Sequence, residues 1–395
     1  MCPNVTPTQP LFDQQRTTKV AVVLPVYNTA RYLRECLDSI LTQSHKNFVV
    51  FAVDDGSTDT SGQILDEYAA KDQRIVTFHK KNGGVSSARN VALDAIENEG
   101  SFDYIAFVDS DDLVKENFLE LYVTHLSANC ADYAVCGWEP FDKKGLIRGG
   151  RKLDHLPPKV IDRNGAFHHA YGTGDWDGIK SYAFSYFLAN RCFSTESIKG
   201  ERFDVSMPKG EDQDFLIRAL LHVKKGVVIS DIVYMYRMRA SSLSHDNSLC
   251  VDDMELFVAL MKKAKLYPES ARTGLERRAL DCWWQAIKLA MSTGTYKKNK
   301  ARFVEAYNCL KSFEYHSELP KKHQKRLRFF SLGDLFLRKL FKSTLNNCLH
   351  RNLACIIDKN SRGAKLKRAF EELPWINSLI TSSVKRSMAF TRRSA

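Results

Sequence analysis

No stretch of this 395-residue chain reaches the roughly 18 consecutive apolar residues that a membrane-spanning helix needs. The opening segment Met1–Lys19 is polar and has no apolar core of the secretory type, so the chain is expected to be cytoplasmic. Cysteine occurs ten times but never as CxxC, and the nearby pair Cys130 and Cys136 is separated by five residues. That spacing excludes the usual zinc-finger patterns, and thiols without a secretory leader fit a reducing compartment rather than a disulfide scaffold. GxGxxG and GxxxxGK[ST] are both missing, which turns the reading away from dinucleotide redox enzymes and P-loop proteins. No internal repeat is evident.

What is present describes a globular chain with an uneven charge. Hydrophobic residues make up 44% of the sequence, an ordinary share for a folded soluble domain. The length accommodates two domains, or one large domain with an appendage. The net charge is +12, yet residues 251–395 carry 30 Lys and Arg against 13 Asp and Glu, while the rest carries 28 against 33. A slightly acidic N-terminal part is thus joined to a strongly basic C-terminal part. Such asymmetry points to an anionic partner for the latter, either lipid headgroups or nucleic acid.

The N-terminal part alternates between two periods. Lys19–Val26, Phe48–Val53, Arg74–Phe78 and Tyr104–Val108 are short apolar runs rich in β-branched or aromatic residues. Helical patterns follow them: Tyr32, Leu33, Cys36, Leu37, Ile40 and Leu41 share one face, Ile64, Leu65 and Tyr68 another, and Ala88–Ile96 forms a third helix. The fourfold strand–helix alternation predicts an α/β fold with a mainly parallel central sheet flanked by helices. Ligands of open sheets of this kind bind beyond the carboxyl ends of the strands. Pro25-Val-Tyr-Asn28, Asp54-Asp55, Asn82-Gly83 and Asp109-Ser-Asp-Asp112 fall at those ends.

The last of these groups has two readings. Carboxylates at the end of a buried strand repel one another and resist desolvation, which calls for a hard divalent cation shared with a phosphorylated ligand. Alternatively they cap the helix expected over Val114–Leu126, since Asp at a helix N-terminus is favourable. Gly210-Glu-Asp212 opens a further helical pattern with Leu216, Ile217 and Leu220 inward, and is open to the same capping reading. The stretch Gly137–Asp177 is mixed and glycine- and aromatic-rich, the composition of loops and short strands.

Taken in order, Val23-Leu-Pro-Val-Tyr-Asn28, Val53-Asp-Asp-Gly-Ser-Thr-Asp59, Asn82-Gly-Gly-Val-Ser-Ser-Ala-Arg-Asn90, Asp109-Ser-Asp-Asp112, Gly210-Glu-Asp212 and Tyr236-Arg-Met-Arg-Ala-Ser-Ser242 resemble the motif series of inverting family 2 glycosyltransferases. The resemblance covers about Lys19 to Leu243 and is nearest in kind to bacterial enzymes that build capsule, lipopolysaccharide or teichoic-acid glycans. It implies a GT-A fold, Rossmann-like, and a nucleoside diphosphate sugar donor, with UDP as the expected nucleotide. It assigns Pro25, Tyr27, Asn28, Asp54, Asp55 and Asn82 to the nucleotide pocket, where Tyr27 offers a ring face and Asp55 an acceptor for a base N–H. Asp111 becomes the ligand of Mg2+ or Mn2+, with Asp109 oriented to the ribose or the metal. Asp212 becomes the general base, with Glu211 beside it. Arg89 and Arg237 are placed near the diphosphate or sugar. Each assignment has a plainer rival: turn and cap chemistry for Asp54 and Asp55, a cap for Asp59 and Asp112, a solvated or sheet-packing Arg89, an exposed Arg237. Trp176, between acids in Gly174-Asp-Trp-Asp-Gly178, suits stacking on an acceptor sugar, whereas Trp138 and His168-His169 read as structural.

The expected organisation is an extended or disordered segment 1–18, a catalytic domain 19–245 divided into a nucleotide-binding half 19–112 and an acceptor-binding half 113–245, and a mostly helical basic region 246–395. Within that region Lys325–Leu345 interleaves Phe and Leu with Arg and Lys. It reads either as an interfacial helix on anionic lipid or as a helix packed on the catalytic domain. No nucleic-acid-binding module is recognisable, so the expected partners are the donor, a glycan or lipid-linked acceptor, and possible membrane lipid. Two rival functions remain: transfer to a polyprenyl phosphate, and a catalytically silent nucleotide-sugar-binding scaffold.

Overall fold

The computed structural model describes residues 17–142, 145–146, 156–171, 175–176, 179–180, 188–207, 210–238, 254–255, 258, 269–292 and 295–311. The segment 1–16, Arg239 and the basic stretch 325–345 lie outside the described residues.

Seven consecutive residues of β1 (Val20–Val26) are buried, as expected for an interior strand covered on both faces. Helix α1 (Ala30–Leu41) buries Leu33, Cys36, Leu37 and Ile40, the stripe that a 3.6-residue period produces. There follow β2 (Phe48–Asp54), α2 (Ser61–Ala69), β3 (Ile75–His79), α3 (Val85–Glu99) and β4 (Tyr104–Phe107). These strands run parallel in the order β3-β2-β1-β4. The chain therefore leaves β1 towards one side of the sheet and later returns to pair β4 on its other side. A crevice forms at such a reversal.

The second half is less regular. It comprises β5 (Leu113–Val114), α4 (Phe118–Asn129), β6 (Tyr133–Asp142), β7 (Gly145–Leu146), β8 (Lys159–Asp162), α5 (Arg163–Tyr171), β9 (Asp175–Trp176), β10 (Ile179–Lys180) and β11 (Arg191–Ser194). A 3-10 turn at Glu196–Ile198 then leads to α6 (Glu211–His222) and β12 (Lys225–Arg237). β11 is antiparallel to β4 and β6, β12 is parallel to β6, and β5 and β8 add antiparallel to β12. Among the described residues these strands form one mixed ten-stranded sheet, with β9 and β10 as a separate pair. Further on, α7 (Glu269–Ser292) and α8 (Tyr296–Lys311) pack together, and the buried Trp283 indole donates to the Phe303 carbonyl at 3.1 Å.

One expected element is displaced. No helix begins at Val114: Leu113 and Val114 pair with Met235 and Tyr234, and α4 starts at Phe118 behind Asn117. The acidic quartet is thereby separated from the helix that it would have capped. A partner strand more than a hundred residues away overrides the local periodicity.

Candidate active site

The carboxyl ends of β1, β2 and β4 open on a cavity of about 640 Å³. Pro25, Tyr27, Asp55 and the turn Asn82–Gly84 line one part of it. Arg89, Asp109, Asp111, Glu211 and the segment Val205–Met207 line another. Residues expected from distant motifs thus meet around one space. Tyr27 is 48% exposed there, a large ring face left uncovered by the protein.

Asp55 organises the first part. Its buried carboxylate accepts from Lys80 Nζ at 2.5 Å, from Gly83 N at 3.0 Å and from Gly84 N at 2.7 Å. Two backbone donors and an ammonium give a buried acid the compensation it requires. Gly56, at φ +72°, lets the loop after β2 approach closely: a Cβ there would stand 2.7 Å from Asn82 N. Lys80 was not singled out by the sequence, because a lysine at a strand end is ordinary until its partner is known.

Asn28 and Asp54 hold the loops rather than line the cavity. Asn28, at φ +51°, accepts through Oδ1 from the backbone of Thr58 at 2.8 Å. Asp54 accepts from Ser57 N at 3.0 Å and lies 3.2 Å from His79 Nδ1. Bonds to Asp66 and Asp54 raise the His79 pKa. Asp59 accepts from Ser61 N at the start of α2 and from Ala30 N at the start of α1.

Within the quartet, the three acids fall into two environments. Asp112 is buried, accepts from Tyr234 OH at 2.6 Å and Arg237 N at 2.8 Å, and burial followed by the charges of Asp111 and Asp109 pushes its pKa well up. It anchors the loop to β12. Asp109 and Asp111 are half-buried and face the cavity. Arg237 is turned to this loop as well: Nε donates to the Asp111 carbonyl at 2.6 Å, Nη2 to Glu35 at 2.7 Å, and its guanidinium lies over Phe141 and Tyr32. It is not among the described residues lining the cavity. Among those residues no group of three or more His, Cys, Asp or Glu is arranged to hold a metal. Two carboxylates facing a cavity do fit a hard divalent ion that takes its other oxygens from phosphate and water.

Helix α6 begins after Gly210, whose φ of +80° is a glycine conformation, and its first turn carries Glu211, Asp212 and Asp214. Helix N-termini favour anions. Burial outweighs that benefit at Asp212: desolvation first, then the neighbouring Glu211 charge, raise its pKa to about 7 against the lowering effect of Arg89. Its Oδ1 accepts from Gln213 N at 2.8 Å. Arg89, buried on α3, donates from Nη1 to Glu211 and from Nη2 to Asp109, each at 3.0 Å. The next residue, Asn90, clasps the backbone of Phe203, donating to its carbonyl at 2.9 Å and accepting from its N–H at 2.8 Å. Phe203 in turn stacks on Phe215 of α6, with ring centroids 4.1 Å apart. This clasp depends on residues 113 positions apart and leaves no local sequence signal.

Other sequence candidates fall elsewhere. Trp176 is on β9, and Trp138 packs partly buried against the core. His169 is buried, and loss of solvent lowers its pKa to about 3, which keeps it neutral.

The profile of glycosyl transferase family 2 matches residues 21–187. The glycosyltransferase GlyG of Streptococcus pneumoniae serotype 4 is 32% identical over 253 residues, which span 60% of this chain and 78% of GlyG. The chain belongs to glycosyl transferase family 2. The glycosyltransferase GlyA of the same organism is 35% identical over 227 residues, 57% of this chain but only 31% of GlyA. Among solved structures, S. aureus TarS residues 1–349 in complex with UDP-GlcNAc superimposes with a TM-score of 0.56 at 19% identity, covering 78% of this chain and 84% of that one. That likeness establishes a shared GT-A-like fold for this family 2 glycosyltransferase. Among its described residues no helix is long and apolar enough to cross a membrane.

Proposed function

We propose that this glycosyltransferase moves a sugar from a uridine diphosphate donor to a hydroxyl of a glycan or lipid-linked acceptor in cell-surface polysaccharide synthesis, with inversion at the anomeric carbon. The observation that carries the reading is Asp212, an acid with a pKa raised to about 7 and the chain neighbour of Glu211, which lines the cavity together with Asp109 and Asp111. Near neutral pH such a carboxylate is present in useful amount and is still basic enough to take a proton. The acceptor oxygen bonds to the anomeric carbon as the bond to the diphosphate oxygen breaks. Asp212 receives the hydroxyl proton. Glu211, bound to Arg89, keeps the first turn of α6 in place.

The other part of the cavity supports a nucleotide. Tyr27 provides an exposed ring for a base to stack on, and Asp55 a carboxylate beside the Asn82–Gly84 turn. The solved complexes of TarS with UDP-GlcNAc and with UDP favour uracil as that base. Asp109 and Asp111 would hold Mg2+ or Mn2+, which supplies charge neutralisation for the departing diphosphate.

The experiment is a panel of nucleotide sugars offered to the full chain with Mn2+, scored for nucleoside diphosphate release. Consumption of a UDP-sugar that Asp212→Asn abolishes is expected. Release by no donor, or equal release by the variant, would overturn the reading.

A further inference from the structure

The proposed base stands between two neighbours that are each gripped from outside α6. On one side, the Glu211 carboxylate accepts from Arg89 of α3 at 3.0 Å. On the other, the Gln213 carbonyl accepts from the hydroxyl of Tyr171, the last residue of α5, at 3.1 Å. The Gln213 N–H donates to Asp212 Oδ1 at 2.8 Å and to the Gly210 carbonyl at 3.1 Å. Tyr171 therefore holds the residue whose N–H orients the Asp212 carboxylate.

The tyrosine has little freedom to do anything else. Its side chain is buried, and a buried phenol requires a partner for its hydroxyl. Ala166, Phe167 and Ala170 of the same short helix are buried with it, which limits where the ring can stand. A carbonyl oxygen has two lone pairs, so Gln213 can serve the helix and the phenol together. The start of α5 meets the far end of α6, where Arg163 Nε donates to the Val223 carbonyl at 3.1 Å. The charged groups near Tyr171 are Arg191, Asp212 and Asp214, and those near Asp212 are Glu211, Arg89 and Asp109. We infer that Tyr171 is a positioning residue for the transfer step: by gripping the Gln213 carbonyl, it keeps the first turn of α6 set so that Asp212 meets the acceptor hydroxyl. The inference rests on the assignment of Asp212 as the base proposed above. Tyr27 and Asp55, the groups assigned to the nucleotide, stand apart from this contact, so the grip governs turnover and not donor affinity.

UDP release from the UDP-sugar that the full chain consumes, followed against pH, tests it alongside calorimetric binding of UDP. Tyr171→Phe removes one oxygen and should lower kcat on the order of tenfold, the scale of a small misplacement of a reacting group. UDP should bind as it does to wild type. The Gln213 N–H bond that favours the Asp212 carboxylate is loosened, so the acidic limb of the pH profile should move up by as much as about one unit. Arg163→Ala frees the other end of the helix pair and should lower the melting temperature with kcat and the limb unchanged. The inference is overturned if Tyr171→Phe keeps the wild-type kcat and limb, or if Arg163→Ala reproduces its losses. Should melting curves show that Tyr171→Phe is unfolded, 3-fluorotyrosine at position 171 decides. Its more acidic hydroxyl donates more strongly and should move the limb down; an unmoved limb counts against the inference. If Asp212→Asn turns over like wild type, the base assignment itself falls, and this inference with it.

Discussion

Asp55 and Asp212, two carboxylates of the proposed active site, are held in opposite ways. Asp55 accepts from an ammonium and two backbone N–H groups, which commits most of its acceptor capacity to shaping the Asn82–Gly84 turn. Asp212 has a single backbone donor, its neighbour's negative charge and a desolvated setting, and its pKa rises to about 7. The fold satisfies Asp55, read as part of the nucleotide site, and leaves Asp212, the proposed base, under-compensated. A strained protonation equilibrium is a functional signature when geometry supports it.

The largest expected effect comes from removing the proposed base. Asp212→Asn should lower kcat by about 10²–10⁴-fold, the usual worth of a positioned general base, while UDP binding measured by calorimetry stays near wild type. Loss of UDP affinity to the same degree as loss of turnover would erase the contrast between the two acids. The complementary change, Asp55→Ala, leaves Lys80, Gly83 N and Gly84 N without their acceptor. It should destabilise the fold by about 1–3 kcal/mol in denaturant melts and weaken UDP binding, with a smaller loss of kcat at saturating donor.

A third test uses stability alone. The folded-state pKa of Asp212 lies above the ordinary carboxylate value, so the native state holds a proton that the unfolded chain has already lost. Stability contributed by that proton is present below the unfolded value and is lost as pH rises through about 7. Asp212→Asn should therefore melt above wild type at about pH 8 and at the same temperature near about pH 4. The smallest effect is expected at Tyr27, which is exposed and holds nothing together. Tyr27→Ala should leave the melting temperature unchanged and raise the donor KM about three- to tenfold, the range of an aromatic contact.

The parallel half was readable because its signals are local. A buried strand, a turn with Asp or Gly and an amphipathic helix follow one another within about 30 residues, and the ligand-facing ends fall out of that order. The edges of the second half were not. Val114 looked like the start of a helix, and only β12, far along the chain, makes Leu113–Val114 a strand. Arg237 looked like a phosphate clamp, yet Glu35, the Asp111 carbonyl and two aromatic rings surround it. Types and spacing of many cavity-lining residues were legible, since the motifs stand at strand ends. Which acids share Arg89, and which loop Asn90 grips, depend on tertiary contacts that no window of sequence contains.

The most direct measurement is the pH dependence of kcat/KM for transfer at saturating metal. With Asp212 as the base, the rate should be level above about pH 7 and fall roughly tenfold per unit below it, following the carboxyl pKa of about 7. A profile that stays flat from about pH 8 down to about pH 5 would contradict the assignment of Asp212 and the account built on it.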